Sequence, residues 1–210
     1  MAGRPVYVKY LSGQEGVLFR WCCNAIFHPI HHTPATMTGA AMEDALASFA
    51  THERFMSVAI EEARLAAEAG DVPIGAVVVH DGRIVGRGRN QVEVLNDPTA
   101  HAEILALGAA AAGIGDWRLD ACTLYSTLEP CTMCSGAILL ARPRLIVYGT
   151  RDPRAGAVSS TARLLEQNPY NLDFEVVEGI LASECAGLLK EFFGRLRRGD
   201  VERPGGDKGR

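Results

Sequence analysis

The chain has 210 residues, 48% of them hydrophobic, and a formal net charge of −4. That length supports one globular domain with a real core, and the acidic balance argues against a protein that coats nucleic acid at large. No apolar run approaches the ~20 residues that span a bilayer, and Met1–Ile30 lacks the ordered regions of a secretory signal, so a cytoplasmic protein with no membrane partner is expected. Six cysteines, two of them adjacent, are too sparse for a secreted disulfide framework and suit metal-binding thiols in a reducing compartment.

Residues 1–41 show no sustained helical or strand period and read as an extension, either disordered or upstream of a true start at Met37 or Met42. Cys22, Cys23, His31 and His32 lie there without zinc-finger spacing. From residue 42 the pattern is regular. Met56, Ala59, Ile60, Ala63 and Ala67 mark an amphipathic helix that Gly70 ends. Ile74–His80 and Arg83–Arg89 are strands joined by an Asp81-Gly82 hairpin turn. Gly75, at the start of the first, suits a close backbone approach. Asp97-Pro98 predicts an N-cap and first turn for a helix through Ala112. Cys122–Leu128 is a buried strand, Pro130 opens a helix to Ala141, and Leu145–Gly149 is the next strand. A short helix near Ser160–Glu166, a strand at Phe174–Glu178 and a helix from Ala182 to Arg197 follow. Residues 199–210 read as a flexible tail. Cys122 and Cys185 read as core, His52 and His80 as surface. A hairpin followed by strand–helix alternation predicts an α/β fold with helices on both faces of a central mixed five-stranded sheet.

Chemistry concentrates at His101-Ala102-Glu103 and Pro130-Cys131-Thr132-Met133-Cys134. One imidazole and two thiols supply three zinc ligands and leave a fourth position for water. Spacing i, i+3 puts both thiols on one helix face, and a helix N-terminus favours the thiolate. Glu103 is then the residue to move protons. A redox Cys-x-x-Cys pair does not explain the His-x-Glu upstream, and a structural zinc site wants a fourth protein ligand that is not evident.

This H-x-E…P-C-x-x-C pattern is the known signature of zinc deaminases. The chain resembles bacterial tRNA-specific adenosine deaminases over residues 42–198. The resemblance extends through Asp71–Val77, Asp97–Ile104, Leu124–Ala137, Tyr148–Ala157, Glu178–Leu181 and Glu184-Cys185. It implies a three-layer α/β/α cytidine deaminase-like fold, a homodimer, and one Zn²⁺ per subunit on His101, Cys131 and Cys134, with Glu103 as proton shuttle. It implies a tRNA anticodon stem-loop as partner and conversion of wobble adenosine to inosine. Asn90 matches an asparagine that contacts the base, Leu128 and Glu129 would line the pocket by backbone, Asp152 matches a position near the anticodon-loop backbone, and Asn171 matches a family asparagine. Leu172 and Gln167 depart from the pattern, since other members carry histidine at those places.

Arg142, Arg144, Arg151, Arg154 and Arg163 against Asp152 give residues 142–163 a charge of +4, and the last 21 residues carry +3. Either a phosphate contact or a solvated face accounts for each cluster. Met133 and Ile138-Leu139-Leu140 suit a subunit interface or the core equally. A small-molecule guanine or cytosine deaminase would keep the zinc site without needing the arginines, and a silent binding relative would not need Glu103.

Overall fold

Helix α1 (Gly39–Glu68) precedes the hairpin of β3 (Gly75–His80) and β4 (Arg83–Arg89). After the single turn α2 (Val92–Leu95) come α3 (Ala102–Ile114), β5 (Cys122–Leu128), α4 (Thr132–Ala141), β6 (Leu145–Thr150), β7 (Glu175–Glu178) and α5 (Ala182–Arg198). The computed structural model describes residues 7–10, 18–20, 39–166, 168–201 and 204. Asp81 and Gly82 take φ of 48° and 71°, as the tight hairpin turn requires.

The five strands β4-β3-β5-β6-β7 form the expected mixed sheet: β3 is antiparallel to both neighbours, and β5, β6 and β7 are parallel. Two further strands, β1 (Tyr7–Tyr10) and β2 (Leu18–Arg20), extend it to seven. β1 pairs parallel with the outer edge of β7, with Val8 opposite Val176, and β2 pairs antiparallel with β1. Strands of four and three residues are too short to show a period in the sequence.

Two apolar clusters lie on opposite faces of the sheet. One packs Ala102, Ala106, Ile138 and Leu139 of α3 and α4 against Val78, Leu124 and Ile146. The other packs Phe55, Met56, Ala59 and Ile60 of α1, with Cys185 of α5, against Val77, Tyr125 and Val147. Cys122 and Cys185 are buried as expected. His52 is half-buried, its Nδ1 2.9 Å from the Tyr125 hydroxyl, because α1 lies directly over β5. Among the described residues, no helix is long and apolar enough to cross a membrane.

Two helix boundaries differ from expectation. Asp97-Pro98 starts a turn rather than a helix: Asp97 Oδ1 accepts Thr99 N at 2.8 Å and the Thr99 hydroxyl at 2.7 Å. The turn closes with Ala100 N donating to the Asp97 carbonyl at 3.1 Å, and His101 is extended, so α3 begins only after it. Residues 160–166 form turns, not a helix. Ser160 N donates to the Glu129 carboxylate, and Arg163 sits at a left-handed φ of 47°.

Small residues set how close the layers come. A Cβ on Gly75 would overlap the Ala59 carbonyl oxygen and stand 2.5 Å from Ala63 N of α1. On Gly88 it would overlap the Ala102 carbonyl oxygen and stand 2.6 Å from Ala106 N of α3. Gly108, on the exposed side of α3, meets nothing within 4 Å. Gly88→Ala is therefore expected to destabilise the fold by about 1–3 kcal/mol through overpacking. Gly108→Ala is expected to stabilise it by roughly 0.5–1 kcal/mol through helix propensity. Thermal unfolding of the two variants beside the parent checks both signs.

Candidate active site

The strand directions bring four loops to one edge of the sheet. Because β3 runs antiparallel to β4 and β5, the start of β3 lies beside the ends of β4 and β5, and the end of β6 lies next to β5. The segments entering β3, joining β4 to α3, joining β5 to α4, and leaving β6 therefore converge.

His101 and Cys131 occupy equivalent places. Each is the extended residue that caps a helix, His101 at φ −76°, ψ 151° before α3 and Cys131 at φ −72°, ψ 177° before α4. Cys131 thus caps its helix rather than lying within the first turn, and Cys134 follows one turn on. His101 Nδ1 stands 3.7 Å from Cys131 Sγ and 3.6 Å from Cys134 Sγ. All three ligand atoms lie within 4.8 Å of one another. Bonds of about 2.0 Å to nitrogen and about 2.3 Å to sulfur place tetrahedral zinc ligands roughly 3.5 Å apart, so the trio fits the ion.

Glu103 is 3% exposed. Its Oε1 accepts from Ser126 Oγ at 3.2 Å, and its Oε2 lies 3.5 Å from Cys134 Sγ. From the first turn of α3, the carboxylate therefore reaches the ligand cluster. Burial pushes its pKa up. Cys131 is pushed down to about 3, first by the Cys134 thiol directed at it and further by His101. Cys134 is pushed up, chiefly because the Cys131 sulfur accepts its proton and burial disfavours a second charge. His101 is raised by its contact with the Cys131 sulfur. Zinc takes both sulfurs as thiolates, so binding a divalent cation at this trio releases protons.

A cavity of about 260 Å³ opens beside this cluster, lined by Asp71, Val72, Ile74, Asn90, Val92, Glu93 and His101. Asn90 is buried at the end of β4 and donates its Nδ2 to Asp71 Oδ1 at 2.6 Å. Asp71 Oδ2 also accepts Glu93 N at 2.9 Å and Val94 N at 3.3 Å. A carboxylate only accepts, so Asp71 fixes which way the Asn90 amide faces and anchors the turn that forms the opposite wall.

A family model described as the cytidine and deoxycytidylate deaminase zinc-binding region matches residues 49–150. A tRNA-specific adenosine deaminase of Bacillus subtilis is 45% identical over 146 residues, 70% of this chain and 91% of that protein. The chain belongs to the tRNA-specific adenosine deaminase family. A solved structure from studies of A-to-I editing by tRNA:A34 deaminases at the wobble position is 47% identical, with a TM-score of 0.62, covering 65% of this chain and 99% of that one. A guanine deaminase from Nitrosomonas europaea shares the architecture at 28% identity and a TM-score of 0.57, covering 68% of this chain and 84% of that one. The zinc-binding character of the matched region agrees with the ligand geometry, and zinc is the cofactor of this deaminase.

Among the residues the resemblance proposed for substrate, only Asn90 lines the cavity. Leu128 is half-buried at the end of β5. Glu129 turns its buried side chain toward the loop after β6. Asp152 Oδ1 accepts Arg154 N at 3.0 Å and Ala155 N at 3.2 Å, shaping that loop. Asn171 is exposed at a left-handed φ of 52°, with Leu172 N held by Asn168 Oδ1. Gln167 lies outside the described residues, as do the four residues Cys22, Cys23, His31 and His32. Part of the arginine run is paired with acids: Arg144 with Glu175 and Arg151 with Glu178 of β7, and Arg163 locally with Glu166. Asp71 was not identified from the sequence. The available signal was an acid between a helix-ending glycine and the apolar strand entry, Gly70-Asp71-Val72-Pro73-Ile74.

The purified chain is expected to hold one zinc per subunit by elemental analysis. Cys131→Ser and Cys134→Ser should each lose it, while Cys122→Ser keeps it. Asp71→Asn should keep zinc but weaken substrate binding through Asn90, read as a raised KM.

Proposed function

We propose that this chain hydrolyses adenosine to inosine at the wobble position of tRNA anticodons, using zinc held by His101, Cys131 and Cys134. The observation that carries the reading is the Glu103 carboxylate beside the ligand cluster, next to a cavity that His101 and Asn90 both line. Family membership and the wobble-acting relative support adenosine in tRNA over a free base.

Zinc bound at this site supplies an activated water near neutral pH. Glu103 accepts the proton given up by the attacking water and delivers it to the ring nitrogen of the base. It then carries a proton to the departing amine, which leaves as ammonia. Its burial keeps bulk water from competing for that proton and brings its affinity for the proton nearer to that of its partners. Ser126 holds one carboxylate oxygen, leaving the other toward the reacting atoms. Asn90, oriented by Asp71, fixes the base in the cavity. Reaching a nucleotide this deep requires the base to be splayed out of its loop, the usual route for deaminases acting on RNA.

In this reading, residues 42–198 form the deaminase domain, which works as a homodimer in the cytoplasm where its tRNA substrate resides. Leu140, 56% exposed on α4, and the half-buried Met133 are available for the subunit contact. Leu128, Asp152 and Asn171 lie outside the cavity lining, and in this reading they serve the surrounding anticodon loop.

Incubation of the zinc-loaded chain with an anticodon stem-loop carrying wobble adenosine is expected to yield inosine. Free adenosine, guanine and cytidine should remain unchanged. Turnover of a free base with an untouched stem-loop would overturn the tRNA reading. Glu103→Ala is expected to retain zinc and lose about 10²–10⁴-fold in kcat.

A further inference from the structure

The segment that leaves β6 lacks regular secondary structure, yet two buried carboxylates hold its first part. Glu178 receives the Arg151 guanidinium at 2.8 Å and the Tyr148 hydroxyl, which in turn accepts from Ser159 Oγ at 2.9 Å. Glu129 makes the denser set of contacts. It is 2% exposed and accepts Asp152 N at 3.1 Å, Ser159 N at 2.7 Å, Ser160 N at 2.8 Å and the Ser160 hydroxyl. Three backbone N–H groups and a hydroxyl converge on one carboxylate, an acceptor-only group, so the loop is wrapped around it.

That loop returns to the metal site. Gly156 forms an isolated antiparallel bridge with Cys131, and Ala157 N donates to the Pro130 carbonyl at 2.8 Å. A Cβ on Gly156 would overlap the Glu129 carboxyl group and stand 2.7 Å from the Asp152 carbonyl oxygen. Glu129 therefore meets the Pro130-Cys131 backbone from two directions. Along the chain it lies two residues upstream, and across space it fixes the loop whose Gly156 lies against Cys131.

We propose that Glu129 is a positioning residue of the metal site, fixing through loop 152–160 and the Gly156 bridge where Cys131 presents its sulfur. It acts through the backbone and touches neither substrate nor metal. The inference rests on the reading of His101, Cys131 and Cys134 as the zinc ligands. A glutamine at position 129 has the same shape but offers an NH₂ group where converging donors need an acceptor, so it cannot satisfy all four contacts.

The test uses the full chain loaded with Co²⁺ as a spectroscopic probe of the thiolate ligands. Glu129→Gln is expected to bind one cobalt with shifted thiolate charge-transfer and d–d bands, and with affinity lower by about tenfold or more. Ser160→Ala, which removes only the hydroxyl donor, should shift the bands in the same direction by less. Glu62→Gln, which loses a buried carboxylate paired with Arg87 and Arg89 on the α1 side of the sheet, should leave them in place. A folded Glu129→Gln with parental bands and affinity overturns the proposal. Should that variant fail to fold, Gly156→Ala carries the same test, and unchanged bands in it overturn the proposal equally. A parent chain that binds cobalt with no thiolate band defeats the ligand assignment itself, and the positioning role falls with it.

Discussion

The site depends on where two helices begin. α3 and α4 both open at one edge of the sheet, and the residue capping each belongs to the trio whose geometry fits zinc. The cap residues meet there with two first-turn residues, Cys134 of α4 and Glu103 of α3, so both helix starts contribute two groups to one cluster. The helix N-termini also concentrate positive potential there, favouring the Cys131 thiolate and the buried Glu103 charge. Gly86 and Gly88 make this arrangement possible on the α3 side. Both lack the Cβ that would collide with α3 backbone, so the helix lies directly on β4 and its first residue stays level with the start of α4.

Buried carboxylates shape the loops around this edge. Asp71 takes two backbone N–H groups of the α2 turn and the Asn90 amide, and Glu129 takes three N–H groups of the loop after β6. Loop backbone near a buried site has no ladder partner and must find acceptors elsewhere. A carboxylate offers about four lone-pair directions and donates nothing, so one residue can template several turns of chain. The segment leaving β6 is irregular without being loosely held, and the cavity wall needs no secondary structure of its own.

The order of elements was legible because each carries its own periodicity. The Met56-Ala59-Ile60-Ala63 stripe, the Asp81-Gly82 turn and the apolar strand Cys122–Leu128 all lie where the sequence places them. The ligand trio was legible because zinc chemistry restricts residue type and spacing. Asp97-Pro98 and Ser160–Glu166 form turns where helices are expected: Asp97 closes a local turn on Thr99, and the loop at Ser160 is held by the distant Glu129. Asp71 and the side chain of Glu129 act through partners 19 to 31 residues away, and no local pattern encodes such contacts. The two N-terminal strands owe their form to the open edge of β7 rather than to any pattern of their own.

Charge tells a similar story about RNA. Read linearly, residues 142–163 are a basic stretch, but the sheet sets Glu175 and Glu178 of β7 against Arg144 and Arg151. Two of the five arginines are thereby paired with acids and Arg163 pairs locally with Glu166, while the chain as a whole is acidic. What the fold does present at the site is a cavity lined by Asn90, whose amide Asp71 orients, with the Glu103 carboxylate beside the ligand cluster. A base that enters such a cavity must first be unstacked from its neighbours, so the deformability of the loop that carries it bears on which RNA can be read.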